Sequence, residues 1–265
     1  MYAFDYVRPA SLADALKAIG SGEEARPLAG GQTLIPTIKQ RLAMPASLVD
    51  LAGIAELKGI KREGNAITIG ATTTHAEVAG NADVRAAIPA LAMLAGGIGD
   101  PAVRNLGTIG GSVANNDPAA DYPAAVLGLG AVIVTTQREI PADGFFTGLF
   151  TTSLKPGELI KAVRFPVPTK AGYAKFEQRA SRYALVGVFA AQTASGVRVV
   201  VTGSGANGVF RASSLEAMLA KAFTVAALKG GTVPATGLLS DMHGSAEYRA
   251  SVIPVIAERA VAAAK

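Results

Sequence analysis

Two short glycine-containing segments constrain the fold of this chain more than any other feature of its sequence. The first lies between a predicted strand and a predicted helix and consists of Ala29, Gly30, Gly31, Gln32, Thr33, Leu34, Ile35 and Pro36. The second has a hydroxyl residue on each side and consists of Thr108, Ile109, Gly110, Gly111 and Ser112. Glycine permits close backbone approach to a ligand, and free N–H groups near a helix start form an anion-binding concavity. Two such turns can hold a pyrophosphate from opposite sides.

Neither segment has the pattern of a common nucleotide-binding motif. No Gly-x-Gly-x-x-Gly follows the first strand, and no Gly-Lys-Ser or Gly-Lys-Thr occurs. Taken alone, each Gly-Gly pair is more often an ordinary tight turn. The pyrophosphate hypothesis therefore depends on the occurrence of both segments, each with polar flanking residues.

The residues around the first segment alternate between strand and helix, which is typical of a small α/β layer. In chain order we predict a strand at 4–7, a helix capped by Ser11, a strand at 26–28, a helix over 34–42 and a strand at 47–51. A hairpin follows at 57–70. Helices capped by Thr74 and Asp83, a short helix starting at Asp121, and strands at 131–135 and 159–165 complete this part.

The sequence Pro166-Val167-Pro168 predicts a domain boundary. Beyond it, residues 175–179, 185–192 and 197–202 have the pattern of consecutive antiparallel strands. Helices are predicted over 214–219 and 224–228. A terminal helix is predicted over 245–263, with a bend at Pro254 because proline removes a helical hydrogen bond.

Composition excludes several kinds of site. The chain has 265 residues, of which 50% are hydrophobic and 17% are charged, a composition typical of a globular protein. The low fraction of charged residues is typical of subunits that bury faces against partners. It contains no cysteine, which excludes disulfides, cysteine-held zinc or iron–sulfur clusters and thiol catalysis within it. Only His75 and His243 offer imidazole, so we expect no metal site here.

Charge and hydropathy indicate neither nucleic-acid binding nor membrane insertion. The net charge is +5, but the basic residues are scattered, which suits an anionic cofactor or an acidic partner better than a nucleic acid. The N-terminus lacks the regions of a signal peptide, and no apolar stretch reaches membrane-spanning length. The expectation is a cytoplasmic protein.

Several motifs together resemble one known family. Residues 29–34 read Ala-Gly-Gly-Gln-Thr-Leu, and residues 98–112 read Ile-Gly-Asp-Pro-Ala-Val-Arg-Asn-Leu-Gly-Thr-Ile-Gly-Gly-Ser. Further matches run through Asn-Asp-Pro-Ala-Ala-Asp-Tyr-Pro at 116–123, Arg-Ala-Ser-Arg-Tyr-Ala at 179–184 and Asp-Met-His-Gly-Ser-Ala-Glu-Tyr-Arg at 241–249. The chain thus resembles, over nearly its whole length, the FAD-binding medium subunits of the xanthine dehydrogenase and carbon monoxide dehydrogenase family.

The resemblance implies an α+β fold. Residues 1–167 would form a two-lobed FAD-binding domain of the vanillyl-alcohol-oxidase (PCMH) type, with lobes of about 1–55 and 56–167. Residues 172–265 would form the family's small C-terminal domain, a three-stranded antiparallel sheet with helices. The strand and helix pattern agrees with both halves.

The resemblance also implies roles for individual residues. Residues 29–36 would wrap the FAD pyrophosphate through backbone N–H groups, and residues 108–112 would close on it from the second lobe. Ile98 would lie beside the flavin, and Asp121 would bond cofactor hydroxyls. Ile160 would meet the flavin edge through its backbone, and Tyr183 would lie in a loop near the ring. Gln178 falls about where xanthine dehydrogenases carry a lysine, which leaves the electron acceptor open.

Each of these residues has a simpler alternative. Asp121 would cap the following helix, Ile98 and Ile160 would be core residues, and Tyr183 would be a half-buried aromatic. Arg104 would form a structural contact rather than a phosphate contact. His75 is expected in the first turn of a helix, and His243 in a turn.

The function implied by the resemblance is electron transfer. The chain would be an oxidoreductase subunit with noncovalent FAD, passing electrons from the [2Fe–2S] clusters of a small subunit to NAD or another acceptor. A large subunit would hold the molybdenum cofactor and oxidise the substrate, in a dimer of heterotrimers. The substrate stays open between carbon monoxide, a purine, an aldehyde and an N-heterocycle. The alternatives are a stand-alone flavin-dependent oxidoreductase and a cofactor-free scaffold subunit.

Overall fold

The computed structural model describes residues 1–20 and 24–265. These residues form a three-stranded, a five-stranded and a four-stranded sheet, together with one two-stranded hairpin. Helices pack on all three larger sheets, so the α+β class predicted from the sequence is confirmed. No helix in the described ranges combines the length and the apolar character that crossing a membrane requires.

The three-stranded sheet is parallel and has the order β1-β3-β2. Its region comprises β1 (Asp5–Val7), α1 (Leu12–Ile19), β2 (Ala25–Leu28), α2 (Leu34–Lys39) and β3 (Ser47–Asp50). Ser11 caps α1 as predicted, because its hydroxyl accepts a 3.1 Å hydrogen bond from the Asp14 N–H. The α2 helix ends three residues short of the predicted Leu42, since Arg41 adopts a left-handed φ of 62°.

The five-stranded sheet is antiparallel and has the order β4-β5-β10-β6-β7. Its region comprises β4 (Ile60–Glu63), β5 (Ala66–Gly70), α3 (His75–Gly80), α4 (Ala82–Ala87), α5 (Pro89–Gly96), α6 (Pro101–Leu106), α7 (Ile109–Asn115), α8 (Tyr122–Gly128), β6 (Val132–Thr135), β7 (Glu139–Pro141), β8 (Phe146–Gly148), β9 (Thr151–Thr152) and β10 (Ile160–Pro166). The β4–β5 hairpin and the helix capped by Thr74 agree with the prediction.

The single helix predicted from Asp83 is wrong, because the structure has two helices there. Asn81, not Asp83, caps α4, and its side-chain oxygen accepts a 3.0 Å hydrogen bond from the Val84 N–H. Pro89 begins α5 and disfavours the helical region for the residue before it, and Ile88 has φ −139° and ψ 69°. The chain therefore breaks at Ile88.

The four-stranded sheet is antiparallel and has the order β11-β12-β13-β14. Its region comprises β11 (Lys170–Glu177), β12 (Ala184–Thr193), β13 (Gly196–Thr202), β14 (Phe210–Arg211), α9 (Ser213–Lys221) and α10 (Ala246–Ala262). The predicted three strands are present, and β14 is a fourth that is too short to give a sequence pattern. Residues 225–228 form a 3-10 helix rather than an α-helix.

The α8 helix joins the last two sheets. Every residue from Tyr122 to Gly128 is buried, and one continuous apolar cluster contains residues of the five-stranded sheet, α5, α8, β11 and β12. A Cβ atom on Gly128 would lie 2.8 Å from the Phe189 ring, so the end of α8 packs closely on β12. The α8 helix therefore lies in the core shared by the five-stranded and the four-stranded sheet.

Candidate functional site

A cavity of about 560 Å³ lies where the two glycine segments meet. Most residues expected at the site line this cavity, namely Ala29, Gly30, Gly31, Gln32, Thr33, Leu34, Ile98, Thr108, Gly110, Gly111, Ser112, Asp121, Ile160 and Tyr183. Three others do not. Ile35 and Pro36 belong to the body of α2, and Ile109 is fully buried in the core.

The first glycine segment has the free backbone donors that an anion requires. Within the described residues, the N–H groups of residues 30–33 donate no hydrogen bond. Gly31 has a φ of 69°, which glycine adopts without strain and which turns the chain into α2. Successive free N–H groups in such a turn form an anion-binding concavity.

Gly30 lies where the two glycine segments touch each other. A Cβ atom at this position would lie 2.1 Å from the carbonyl oxygen of Leu106 and 2.7 Å from the Cα of Gly107. The backbone of the first segment therefore packs directly on the backbone that precedes the second. This close contact between the two protein segments excludes a side chain at Gly30.

The second glycine segment is the first turn of α7 and not the separate glycine turn that we predicted. Thr108 is the N-cap, and its hydroxyl accepts a 3.2 Å hydrogen bond from the Gly111 N–H. The Gly110 N–H donates to the Ala71 carbonyl at 2.8 Å, and the Ser112 N–H donates to the Thr108 carbonyl at 3.0 Å. These backbone donors are already satisfied. The hydroxyls of Thr108 and Ser112 donate to nothing within the described residues, so they are the available donors of this segment.

Asp121 does not cap α8, because its side chain accepts no hydrogen bond from the N–H groups of that helix. Its carboxylate instead accepts a hydrogen bond from the Tyr173 hydroxyl and lies 3.2 Å from the Lys175 Nζ, both on β11. Burial raises the pKa of Asp121, and the Lys175 ammonium opposes that shift. A carboxylate that lines the cavity is thus held by the C-terminal sheet.

The loop between β11 and β12, residues 178–183, forms one side of the cavity. The Gln178 N–H donates to the Tyr183 carbonyl at 2.9 Å, and the Arg182 N–H donates to the Gln178 carbonyl at 2.7 Å. Tyr183 is 43% exposed and lines the cavity, whereas Gln178 does not line it. Burial, and then the charges of Asp117 and Asp121, raise the pKa of Tyr183.

The apolar wall contains Ile98 and Ile160. Ile160 is 6% exposed, and Ile98 is half-buried against the main apolar cluster. Arg104 donates to the carbonyl oxygens of Ile98 at 3.1 Å and Gly99 at 2.8 Å, so the structural alternative holds for this arginine. It fixes the backbone that presents Ile98 to the cavity.

Sequence reasoning missed several residues of this site. His75 lines the cavity from the first turn of α3, and burial, followed by the charge of Arg104, lowers its pKa to about 4. Asp117 also lines the cavity, and burial raises its pKa. Lys175 and Tyr173 reach Asp121 from a strand far along the chain, which no sequence spacing signals. Among the residues that the structure describes, no cluster of His, Cys, Asp or Glu could hold a metal ion.

Comparison with known proteins identifies similar chains. Residues 2–168 match the family described as the FAD binding domain in molybdopterin dehydrogenase. The chain is 39% identical to the carbon monoxide dehydrogenase medium chain of Afipia carboxidovorans, over 99% of this chain and 96% of that protein. It is 35% identical to the glyceraldehyde dehydrogenase medium chain of Sulfolobus acidocaldarius, over 97% of this chain and 96% of that protein. Among solved structures, a chain of quinoline 2-oxidoreductase from Pseudomonas putida 86 superposes on this chain with a TM-score of 0.88 and 29% sequence identity. The match covers 98% of this chain and 96% of that chain.

Proposed function

Because this chain belongs to the family of FAD-binding domains in molybdopterin dehydrogenases, we propose that the cavity between its glycine segments holds FAD. The chain is a FAD-binding subunit of a multi-subunit oxidoreductase. It transfers electrons, and oxidation of the substrate takes place on another subunit. The stand-alone oxidoreductase and the cofactor-free scaffold are not favoured by any observation.

The free N–H groups of residues 30–33 support this proposal most strongly. A pyrophosphate carries negative charge and accepts several hydrogen bonds, and hydrogen bonds to charged groups are about twice as strong as neutral ones. The hydroxyls of Thr108 and Ser112 would add donors from the second segment. We therefore propose an asymmetric grip, with backbone donors on one side and hydroxyl donors on the other.

The remaining walls suit the other parts of FAD. Ile98 and Ile160 offer an apolar surface for the flat flavin ring, and Tyr183 offers an aromatic ring at the mouth of the cavity. The Asp121 carboxylate has acceptor capacity beyond its bonds to Tyr173 and Lys175, so it can also accept a cofactor hydroxyl. This chain has no cysteine, and His75, the histidine that lines the cavity, is only 5% exposed. We therefore propose that FAD is held noncovalently.

Bound FAD accepts electrons singly and releases them in pairs, so it can join iron–sulfur clusters to a two-electron acceptor. The protein binds and orients this cofactor and limits access to it. Iron–sulfur clusters need thiolate ligands, and this chain has no cysteine. We propose that a small subunit carries the [2Fe–2S] clusters and that a large subunit carries the molybdenum cofactor.

Finer features of the assembly are also proposals. We propose a dimer of heterotrimers and NAD or another acceptor, with the substrate determined by the large subunit. We propose two domains, residues 1–167 and 172–265, with lobes of about 1–55 and 56–167. The short connection between β10, which ends at Pro166, and β11, which begins at Lys170, supports a boundary after residue 167, and β11 begins two residues before residue 172. The cytoplasmic location expected from the sequence stays a prediction.

Competition between nucleotides tests the assigned grip. ADP contains the pyrophosphate and adenosine of FAD, whereas AMP has a single phosphate. We expect ADP to displace FAD from the chain at a concentration at least about tenfold below that of AMP, the factor that one hydrogen bond to a charged group provides. Fluorescence titration of FAD measures both displacements. Equal potency of ADP and AMP would contradict a pyrophosphate site at residues 30–33.

A further inference from the structure

We propose that Lys175 is a positioning residue that fixes the 178–183 loop over the cofactor cavity. The proposal rests on the proposed function, because it takes that cavity to be the FAD site. Nothing in the sequence motifs marks Lys175, which lies on β11 before the loop begins. Its importance follows from what its ammonium contacts in the folded chain.

The Lys175 ammonium connects three walls of the cavity. It donates to the Arg182 carbonyl at 2.7 Å and to the Gly97 carbonyl at 2.9 Å, and it lies 3.2 Å from the Asp121 carboxylate. An ammonium has three N–H donors, and these contacts account for all of them. The acceptors belong to the 178–183 loop, to the backbone next to Ile98, and to the start of α8.

Burial makes these contacts strong. The Lys175 side chain is 9% exposed and that of Asp121 is 4% exposed, so water competes little for either group. Truncating one partner of a buried charge pair leaves the other charge without compensation. The Gly97 and Arg182 carbonyls would lose their charged donor as well. Lys175 therefore joins the loop to two other segments of the chain through a single side chain.

The other contacts of the loop do not duplicate this role. The bonds between Gln178 and Tyr183 and between Arg182 and Gln178 close the turn on itself, so they fix its internal shape but not its place. The Arg182 guanidinium also reaches the Gly99 carbonyl at 3.0 Å, and this contact is exposed, as is the bond from Lys175 to the Arg182 carbonyl. Lys175 is the stronger of the two attachments because its side chain is 9% exposed and its ammonium also pairs with the buried Asp121 carboxylate.

Tyr183 makes the position of the loop functionally relevant. It lines the cavity from the end of the loop, directly before Ala184, the first residue of β12, which is already buried. A loop that is attached through Arg182 holds the adjacent tyrosine ring at the mouth of the cavity. Loosening the attachment exposes the cofactor to external electron acceptors while the glycine segments, on the other side of the cavity, still bind it.

The test compares Lys175→Met with Lys170→Met in the full chain loaded with FAD. Methionine keeps an apolar stem of similar length but removes the three donors. Lys170 lies at the exposed start of the same strand, so its replacement controls for loss of one positive charge on β11. Hydrogen exchange measured by NMR reports on the amides of Gln178 and Arg182, which are bonded inside the loop. The rate at which ferricyanide reoxidises the reduced chain reports on access to the cofactor.

We expect Lys175→Met to accelerate exchange of the loop amides about tenfold or more, the factor that loss of one charge-assisted hydrogen bond provides. Reoxidation by ferricyanide, expressed per bound FAD, should accelerate, and the amides of β12 should accelerate less than the loop amides, because the uncompensated Asp121 carboxylate lowers stability throughout. Lys170→Met should change none of these. Unchanged exchange of the loop amides overturns the proposal, and so does equal acceleration throughout β12, which would make Lys175 a general stability residue. If the wild-type chain binds no FAD, the proposed function fails, and exchange in the unloaded chain still decides the role of Lys175.

Discussion

Replacing Gly31 by valine should abolish tight FAD binding by distorting the turn at residues 30–33, and the same replacement at a second glycine with positive φ serves as the control. Gly31 has a φ of 69°, and a Cβ atom there would lie 3.0 Å from Ile35 Cγ1 and 3.3 Å from Leu28 Cδ1. A β-branched residue with positive φ costs about 1–3 kcal/mol. Relief of that strain requires the turn to change its shape, and the N–H groups of residues 30–33 then no longer converge. The loss of two hydrogen bonds to a charged group would weaken FAD binding by roughly 100-fold or more.

Gly64→Val is the matched control. Gly64 has a φ of 58° and lies in the β4–β5 turn, where a Cβ atom would meet nothing within 4 Å. Both variants should lose free energy of unfolding, measured by urea denaturation without FAD, and Gly31→Val should lose more because its Cβ also meets Ile35 and Leu28. Only Gly31→Val should lose affinity in a fluorescence titration. Gly31→Val with wild-type FAD affinity would refute the reasoning, as would an equal loss of affinity in Gly64→Val.

Three further predictions concern the cofactor, the loop and pH. Acid precipitation of the purified chain should release all of its flavin into the supernatant, and yellow colour in the pellet would contradict noncovalent binding. Tyr183→Ala should change the reoxidation rate of the assembled complex, measured by stopped flow, much more than it changes FAD content; unchanged rates with NAD, quinone and oxygen would remove Tyr183 from the site. The pKa of His75 is lowered to about 4 from an ordinary 6.5. As pH falls, the unfolded chain therefore takes up this proton before the folded chain does. The free energy of unfolding should decrease between pH 6.5 and about pH 4 by up to about 3 kcal/mol. His75→Gln should reduce that slope in urea denaturation, and an identical slope in both proteins would refute the assignment.

The structure agrees with the sequence where the signals are local. Gly31 adopts the positive φ that glycine favours, and Ser11 and Thr74 cap helices at the predicted positions. Most strands were predicted to within a few residues because their alternation reflects burial of one face. The exceptions are short elements such as β14, whose two residues carry no periodicity.

The second half of the site was predicted less well because its contacts are long-range. The segment at 108–112 was taken for a turn, since two glycines are unfavourable inside a helix. The structure tolerates them because a Cβ atom on Gly110 would lie 2.5 Å from that of Ala71, so only glycine fits this close approach. The partners of Asp121 lie on β11, and no local pattern links that strand to the start of α8.

Purification of the native complex through a tag on this chain tests the central claim most directly. Native mass spectrometry, combined with flavin and metal analysis of the separated subunits, identifies which chain carries each cofactor. The account predicts one FAD on this chain, with molybdenum on a larger co-purifying subunit and iron on a smaller one. Recovery of this chain without FAD, or of a flavin-loaded chain that brings no molybdenum-containing subunit with it, would contradict the account.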